Sequence, residues 1–516
     1  MIRLTSIGRQ RPFLVIGAAL LMLYGLTYHG FIGSVIDESM MLGVTAQIAD
    51  AHTLQINPLY PQLLEWGAPA ADPAHPIYSK YGIGQSLLDL PLYMLGKLIP
   101  TQLYARTPTD NPFLPLIPLM LSMGLGSFVT LLTVFGVYKT VHLIDYSART
   151  AALIALLYAV TTLAWPYAKR FYNEPSTACA LIGLVYFSIR YRRVGWFRDG
   201  LAAGACLSAA ILLRPTSVLF IPLPLLYMLP MLNKAVVQKW IAACVRAWLP
   251  LLIGIGAGVL IMLGYNAYRF GSIFESGYEP GFGRVPWEAL IGYVVSPSRS
   301  LFLFNPILLL AIPSGWLLSR RLPRETLYVL AISVLPAFVY ATWWAWDGGA
   351  TLGPRFLVPS IPLLMLFAAP LIERPRWRPA LIGLGVVGFG VQVLCNLPLT
   401  SDFYLELFDK QHVTPNAVNW QFNDSIIANL WTTYTTHRID STIFHLLPAS
   451  HPILTAALVT AISALLCGLM LWAALGETLR VRPPDAILSN DHSEPVTLRE
   501  DTNHDGLPDR LPDRTS

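Results

Sequence analysis

Charge is scarce in this sequence. Asp, Glu, Lys and Arg together make up 13% of the 516 residues, whereas a soluble domain averages about 25%. The hydrophobic residues make up 54%, and the mean hydropathy is +0.53. So low a charge content excludes an ordinary soluble domain and is typical of a chain that lies largely within a membrane.

Several motifs of known catalytic and binding centres are also missing. There is no Walker A motif and no HExxH sequence, which argues against an ATP-driven transporter and a membrane zinc protease. No CxxC pair occurs, and the cysteines lie mostly in apolar runs. We therefore interpret them as small apolar residues rather than as a zinc or disulfide framework. They are Cys179, Cys206, Cys244, Cys395 and Cys467.

Long apolar runs recur along most of the chain, and runs of about 17 residues or more are the signature of transmembrane helices. The sequence therefore predicts an all-α, polytopic transmembrane helical bundle of about 12 spans. The predicted spans are 12–36, 113–138, 150–166, 174–190, 200–213, 216–232, 247–268, 301–318, 325–343, 356–372, 378–396 and 452–475.

Basic residues are concentrated in alternate segments between these runs. With the N-terminus in the cytoplasm, the inner segments carry most of the arginines and few acids, as the positive-inside rule requires. Examples are Arg3, Arg9, Arg11, Arg190, Arg192, Arg193, Arg198, Arg320, Arg321, Arg324, Arg374, Arg376 and Arg378. We expect both termini to be cytoplasmic. Because the basic residues have this topological explanation, they do not indicate nucleic-acid binding.

The predicted spans divide the chain into four parts. Residues 1–396 form the transmembrane core, and its first outer loop, 37–112, carries two juxtamembrane helices. The stronger of these is 81–100, in which Leu87 and Met94 share an apolar face while Gln85 and Asp89 lie on another; residues 39–52 are a weaker case. Residues 397–451 form a second outer loop, 452–476 the last span, and 477–516 a polar tail.

The charged residues of interest lie near the outer ends of predicted spans. Charge at membrane depth is costly, so each of these residues calls for a functional hypothesis. They are Asp37 and Glu38 in GFIGSVIDESMM; Lys80 in HPIYSKYGIG; Lys169, Arg170 and Glu174 in WPYAKRFYNEPSTA; Arg214 in LLRPTS; and Asp347 and Arg355 in WWAWDGGATLGPRF.

This mixture of acids and cations suits one kind of chemistry. A carboxylate can accept the proton of an attacking hydroxyl. Lysine and arginine can hold a phosphate and stabilise its charge as it leaves. Transfer of a sugar from a lipid-linked phosphate needs both, at the membrane surface where the donor is anchored.

The order of these motifs resembles the GT-C class of membrane glycosyltransferases, and within it glycosyltransferase family 39. That family includes protein O-mannosyltransferases and the aminoarabinose transferase of lipid A. The resemblance rests on the acid pair after the first span, the YSKYGIGQSLL segment, the YNEPSTA loop and the RP that follows. It implies a polyprenyl-phosphate sugar donor, an inverting mechanism and an active site on the extracytoplasmic side of the inner (plasma) membrane.

The resemblance also implies roles for individual residues. Asp37 matches the catalytic acid and would be the general base, with Glu38 as its neighbour in the motif. Glu174 matches the second acidic position and would position the acceptor or a divalent ion. Lys80 matches the lysine that contacts donor phosphate, and Arg355 is a second phosphate candidate. Arg170 and Arg214 are further candidates for phosphate binding.

Two departures from the family leave metal dependence and acceptor type open. Ser79 stands where the aminoarabinose transferases have an acid immediately before the lysine, and no large soluble outer domain follows the last span. A divalent metal ion is the one cofactor that these residues suggest. The acceptor would be a glycan, a lipid or a protein.

Simpler interpretations stand beside these. The acids would then merely mark the end of a span, Lys80 would extend from an interfacial helix to the headgroups, and Lys169 and Arg170 would contact headgroups. The WWAW cluster would be an interfacial aromatic belt. For the whole protein, the alternatives are a lipid or solute transporter and a non-catalytic assembly subunit of the cell envelope.

The tail contains a segment, 501–513, that is similar to calcium-binding loops. Its candidate oxygen ligands are Asp501, Asn503, Asp505 and Asp509, and Gly506 would permit the turn. However, Pro512 stands where an EF-hand has its bidentate glutamate. A flexible acidic tail without calcium is the alternative.

Overall fold

The computed structural model describes residues 7–28, 36–56, 77–99, 116–229, 237–278, 281–396, 413–430 and 460–471, together with Leu407 and Leu458. Regular structure in these residues is helical, and the β pairing among them consists of two isolated bridges, Gln55–Tyr78 and Phe282–Trp343. The predicted all-α class is confirmed.

The first half of the described chain consists mainly of long helices. Its helices are α1 (Ile7–Leu26), α2 (Ile36–Ala51), α3 (Gly84–Lys97), α4 (Leu116–Leu143), α5 (Ala148–Thr161), α6 (Ala164–Tyr167), α7 (Asn173–Val194), α8 (Phe197–Leu213), α9 (Pro222–Tyr227) and α10 (Val237–Phe270). A 3-10 helix at Pro215–Phe220 joins α8 to α9.

The second half is more broken. Its helices are α11 (Trp287–Val295), α12 (Leu301–Phe304), α13 (Ala311–Arg321), α14 (Pro323–Ala341), α15 (Ile361–Met365), α16 (Ala369–Ile372), α17 (Arg378–Asn396) and α18 (Pro415–Trp420). Four 3-10 helices lie between them, at Pro306–Leu310, Arg355–Ser360, Leu366–Ala368 and Pro375–Trp377.

Five of the described helical segments are long and apolar enough to cross a membrane. They are Leu121–Leu143, Ala243–Phe270, Pro323–Ala341, Arg355–Ile372 and Pro375–Asn396. Four shorter apolar helices, Val15–Leu26, Ala148–Thr161, Pro215–Tyr227 and Thr460–Leu471, fall within other predicted spans. The protein is thus a multi-pass membrane bundle, and the count of about 12 spans stays a prediction.

Two predicted boundaries differ from the structure for identifiable reasons. The first span was predicted to reach residue 36, but α1 ends at Leu26 and a new helix starts at Ile36. The sequence hides this end because the apolar residues Phe31, Ile32 and Val35 continue the run beyond it. The span 301–318 is interrupted at Asn305, because the Pro306 that follows has no N–H for an α-helical hydrogen bond.

Small residues bring α8 and α10 into close contact. A Cβ added to Gly254 on α10 would lie 2.6 Å from the carbonyl oxygen of Leu201 on α8, and one added to Gly204 on α8 would lie 2.9 Å from the Cα of Gly254. Such contacts between small residues are a common way to pack helices within a membrane. They fix α8, whose end carries Arg214.

Helices α2 and α3 pack against each other, and α3 also packs against α4 and α8. The apolar side of α3 is its exposed side, for example at Leu87 and Met94, as a helix lying against lipid requires. Its polar side is not in water, because Gln85 and Asp89 are completely buried. Ser86 donates to the carbonyl of Met41 on α2.

The five cysteines are all free thiols in this structure. Cys244 and Cys395 are buried, and the other three are partly buried.

A close approach of α3 to α8 fixes the segment that carries Lys80. A Cβ at Gly84 would lie 2.7 Å from the carbonyl carbon of Leu212. We expect Gly84→Ala to cost about 1–3 kcal/mol through this clash, although alanine is the better helix former by about 1 kcal/mol.

The measurement is the thermal unfolding midpoint in detergent. Gly256→Ala on α10 is the matched control, because nothing lies within 4 Å of the added methyl group there. Equal midpoints for the two variants would contradict this packing.

Candidate active site

The guanidinium group of Arg355 lies between two carboxylates. Its Nη2 is 2.6 Å from Oδ2 of Asp37, and its Nε is 2.5 Å from Oε1 of Glu174. Asp37 lies in the first turn of α2, Glu174 in the first turn of α7, and Arg355 at the start of the 3-10 helix 355–360. Acidic side chains are stabilised at helix N-termini by the backbone dipole. Three distant parts of the chain therefore meet at one cation.

Asp37 is the accessible acid of this site. Its side chain is 21% exposed, whereas those of Glu38 and Glu174 are fully buried. The Tyr81 hydroxyl donates a short hydrogen bond to Oδ1 of Asp37. Burial alone would raise the pKa of Asp37, but the Arg355 charge, the Tyr81 hydrogen bond and the Lys80 charge together lower it. Asp37 is thus ionised at neutral pH.

Glu38 points away from its neighbour into the protein. The backbone N–H of Phe171 donates to its Oε1 at 3.0 Å, and Nη1 of Arg170 lies 3.9 Å from its Oε2. Burial raises the pKa of Glu38 in spite of these two partners. Glu38 therefore ties α2 to the loop before α7.

Glu174 is shared by two arginines. Nη2 of Arg214 donates to the same Oε1 that Arg355 contacts. Nε of Arg214 also donates to Oδ1 of Asn173 at 2.8 Å, and its Nη1 lies 3.4 Å from the Tyr340 hydroxyl. The second carboxylate oxygen of Glu174 is buried and accepts no hydrogen bond from the described residues.

Lys80 is exposed and lies beside the acid. Its Nζ is 5.7 Å from the ring centre of Tyr81 and 5.6 Å from that of Tyr278, a separation typical of cation–π contact. Arg269 donates to the carbonyl oxygens of Ser79 and Tyr81, on either side of Lys80. The buried Arg269 therefore fixes the backbone that presents the lysine.

Two charged residues from the sequence analysis lie elsewhere. Lys169 is 1% exposed rather than at the headgroups, and its Nζ donates to the carbonyls of Thr27 at 2.6 Å and Asn396 at 3.2 Å. Asp347 does not join the acid cluster. It accepts from the backbone N–H of Gly349 at 3.1 Å and from Nδ2 of Asn419 at 2.9 Å.

The WWAW cluster divides between surface and interior. Trp344 is 67% exposed, as an aromatic belt requires. Trp346 is 3% exposed and packs edge-on against Tyr293 at 5.5 Å. The interpretation as an interfacial aromatic belt therefore fits Trp344 but not Trp346.

Sequence reasoning missed Tyr81, Arg269 and Arg299. Tyr81 stands next to Lys80, a candidate phosphate contact, and this position in the sequence could have pointed to its hydroxyl. Arg269 follows a long apolar run and Arg299 lies in a serine-rich turn, SPSRS. Their hydrogen-bond partners are backbone carbonyls and asparagine side chains, so no complementary charge in the sequence pointed to them.

The described residues contain no group of three or more His, Cys, Asp and Glu side chains that could hold a metal ion. The tail candidates Asp501, Asn503, Asp505 and Asp509, with the whole of 477–516, lie outside the described residues. So does most of the second outer loop, of which 413–430 and Leu407 are described.

Comparisons with known proteins yielded structural likenesses only. No protein-family model matches the chain, and no curated sequence matches it. ArnT from Cupriavidus metallidurans is 13% identical in its apo structure, with a TM-score of 0.49 over 92% of this chain and 78% of that one. Its structure bound to undecaprenyl phosphate has a TM-score of 0.46 over 90% and 77%, also at 13% identity.

The archaeal oligosaccharyltransferase AglB from Archaeoglobus fulgidus, in complex with an inhibitory peptide and a dolichol phosphate, is 12% identical. Its TM-score is 0.43, over 92% of this chain and 56% of that one. Both proteins are of the GT-C class that the sequence motifs resemble.

The shared carboxylate of Glu174 gives a stability prediction. Glu174→Gln leaves Arg214 and part of the Arg355 charge uncompensated in a buried site, which we expect to cost about 3–5 kcal/mol. Glu288→Gln is the matched control, because its pair with Arg284 is partly exposed and is worth about 1 kcal/mol or less. Thermal unfolding midpoints that fall equally in both variants would contradict this cost, because the buried Glu174 cluster would then contribute no more than a partly exposed pair.

Proposed function

We propose that this protein is a membrane glycosyltransferase that moves a sugar from a polyprenyl-phosphate donor to an acceptor hydroxyl, with inversion at the anomeric carbon. One observation carries the proposal: an ionised, partly exposed carboxylate, Asp37, lies beside an exposed cation, Lys80, at the juxtamembrane helices. A general base and a phosphate contact are the two groups that such a transfer needs.

In the proposed step, a carboxylate oxygen of Asp37 takes the proton from the acceptor hydroxyl. The acceptor oxygen then forms a bond to the anomeric carbon. On the opposite face of the sugar, the bond between this carbon and the phosphate oxygen breaks, and the phosphate leaves with the electron pair. Lys80 stabilises the charge that develops on the departing phosphate.

The arginines have a different part in this scheme. Arg355, Arg214 and Arg170 already lie against Asp37, Glu174 and Glu38, so a donor phosphate would compete with carboxylates for them. We assign the main phosphate contact to Lys80. Arg355 would keep Asp37 ionised and add to the positive potential, with Arg214 and Arg170 contributing through their charge alone.

Glu174 would act through Arg355 rather than on a substrate, because it is fully buried and its Oε1 is bound by two arginines. A divalent ion, if the reaction uses one, would enter at Asp37, since that is the accessible carboxylate of the three acids. Activity measured with a chelator, and again after Mg²⁺ or Mn²⁺ is restored, tests for it.

The length of α7 supports an extracytoplasmic site. This helix overlaps the predicted span 174–190; it has 22 residues and is about 33 Å long at 1.5 Å per residue, which is close to the hydrocarbon thickness. Glu174 lies in its first turn, and Arg192 and Arg193 lie in its last turn. Because arginines favour the cytoplasmic side, the acid cluster belongs on the other side.

The experiment that tests the function uses purified protein in nanodiscs, a panel of radiolabelled polyprenyl-phosphate sugars and a membrane extract as the acceptor source. Asp37→Asn should release less than about 1% as much free polyprenyl phosphate as wild type, because a base contributes about 10²–10⁴-fold. The variant should still bind polyprenyl phosphate. Full turnover by Asp37→Asn would rule out the assigned base.

Removal of the lysine should affect donor binding first. We expect Lys80→Gln to raise the KM for donor about tenfold or more, since a hydrogen bond to a charged group is worth about 1.5–3 kcal/mol. Lys97→Gln is the control, because Lys97 on α3 forms an exposed ion pair with Asp50 on α2. An unchanged KM in Lys80→Gln would move the phosphate site elsewhere.

The hydrogen bond from Tyr81 gives a pH prediction. The reaction needs ionised Asp37, so activity is present above the pKa of this acid and is lost as the pH falls through it. Tyr81→Phe removes one of the groups that lower this pKa, so the acid limb of the rate profile should move to higher pH. Tyr93→Phe, which removes a similar bond to Asp50, should leave the limb in place; a limb that Tyr81→Phe does not move would contradict the base assignment.

A further inference from the structure

Arg299 is a completely buried arginine at the hub of a backbone network. Its side chain lies in the turn Ser296–Ser300, between α11 and α12, and is 1% exposed. Nη1 donates to the carbonyl of Thr351 at 2.6 Å and to that of Gly353 at 3.3 Å, and Nη2 donates to the carbonyl of Gly349 at 2.7 Å. One guanidinium thus holds three carbonyls of the glycine-rich loop before Arg355.

This loop adopts a conformation that needs to be held. Gly348, Gly349 and Gly353 have φ values of +76°, +67° and +62°, in the left-handed region that favours glycine. Glycine loses more conformational freedom on folding than any other residue, so this segment needs contacts that hold its backbone. The backbone N–H of Arg355 donates to Gly353 at 3.0 Å, so the loop geometry passes directly to the site.

The same arginine contacts the second outer loop. Its Nε donates to Oδ1 of Asn419 on α18 at 3.0 Å, and Nδ2 of Asn419 donates to Asp347 at 2.9 Å. Ser296 and Ser298 donate to the carbonyls of Asn419 and Val418 at 2.5 and 2.6 Å. The α18 segment is therefore fastened to the turn that carries Arg299.

We propose that Arg299 is a positioning residue: it fixes the loop 348–353 so that Arg355 lies between Asp37 and Glu174, and Asn419 joins the outer segment α18 to this arrangement. A planar guanidinium suits the task because its donors lie in a rigid fork that contacts several acceptors at once. Lysine keeps the charge but cannot reproduce this geometry. The part of the inference that concerns turnover rests on the proposed function.

The test measures the ion pair of Asp37 directly. Full-length protein in nanodiscs is treated with a water-soluble carbodiimide and glycinamide, and the modified carboxyl groups are quantified by peptide mass spectrometry. In Arg299→Lys and Arg299→Met, Asp37 should react about 10- to 100-fold faster than in wild type. The reason is that Asp37 loses its hydrogen bond to the displaced Arg355, and a hydrogen bond to a charged group is worth about 1.5–3 kcal/mol. The exposed acids Asp50 and Asp145 should react at unchanged rates.

Two further variants separate positioning from general support. Arg284→Lys is the matched control, because Arg284 forms a partly exposed ion pair with Glu288. This variant should leave the labelling of Asp37 unchanged. Asn419→Ala keeps Arg299 and should give a smaller increase than Arg299→Met. If Arg299→Met does not fold, Arg299→Lys and Asn419→Ala decide the question.

Two results would overturn the proposal. One is unchanged Asp37 labelling in folded Arg299→Lys. The other is faster labelling of all carboxyl groups together, including buried Glu38, because that would mean a general loosening of the protein.

Turnover gives an independent measurement. With an active donor, Arg299→Lys should lower kcat while the KM for donor changes less than about twofold, since the segment that carries Lys80 is held by a different arginine, Arg269. A raised KM with unchanged kcat would contradict positioning through Arg355. If wild-type protein transfers no sugar, the proposed function fails, and the labelling result still decides the role of Arg299.

Discussion

The contact of Arg355 with Asp37 and Glu174 is the interaction on which the rest of the site depends. These three residues come from α2, α7 and the start of the 3-10 helix 355–360, so a single guanidinium closes the chain over separations of 318 and 181 residues. A buried cation with two carboxylates is stable only if its geometry is held from all sides. The juxtamembrane helices, the glycine-rich loop and the first turn of α7 each supply one of these supports.

Charge balance around that contact explains why the site would select an anion. Three arginines balance the three acids: Arg355 lies against Asp37 and Glu174, Arg214 against Glu174, and Arg170 against Glu38. The described part of the site then leaves Lys80 as an exposed positive charge above aromatic rings. An anionic headgroup at the membrane surface is the ligand that this surplus would attract, and the partly exposed Asp37 lies next to it. The same balance keeps Asp37 ionised.

The sequence predicted the class of fold, because helical membrane segments are long. It also singled out Asp37, Glu174 and Arg355, which the structure brings together, because charges within apolar surroundings stand out. It did not predict how the charges pair. Arg355 was taken for a phosphate contact, and only the folded chain shows it against two acids. Arg299 and Arg269 escaped notice because they bind backbone carbonyls and asparagine side chains, which carry no charge and occur throughout the sequence. Helix ends at Leu26 and Phe304 were missed because apolar residues resume shortly after each of them, although Pro306 was a visible signal of the second.

The most direct test of the account is the position of the lipid phosphate. Undecaprenyl phosphate would be bound to the protein in nanodiscs, with lysine side chains labelled with ¹⁵N, and the contact between ³¹P and ¹⁵N measured by solid-state NMR. The account predicts a close phosphorus–nitrogen contact that disappears in Lys80→Gln and persists in Lys97→Gln. A phosphate contact that survives the loss of Lys80, or a bound lipid whose phosphate contacts no lysine, would contradict it.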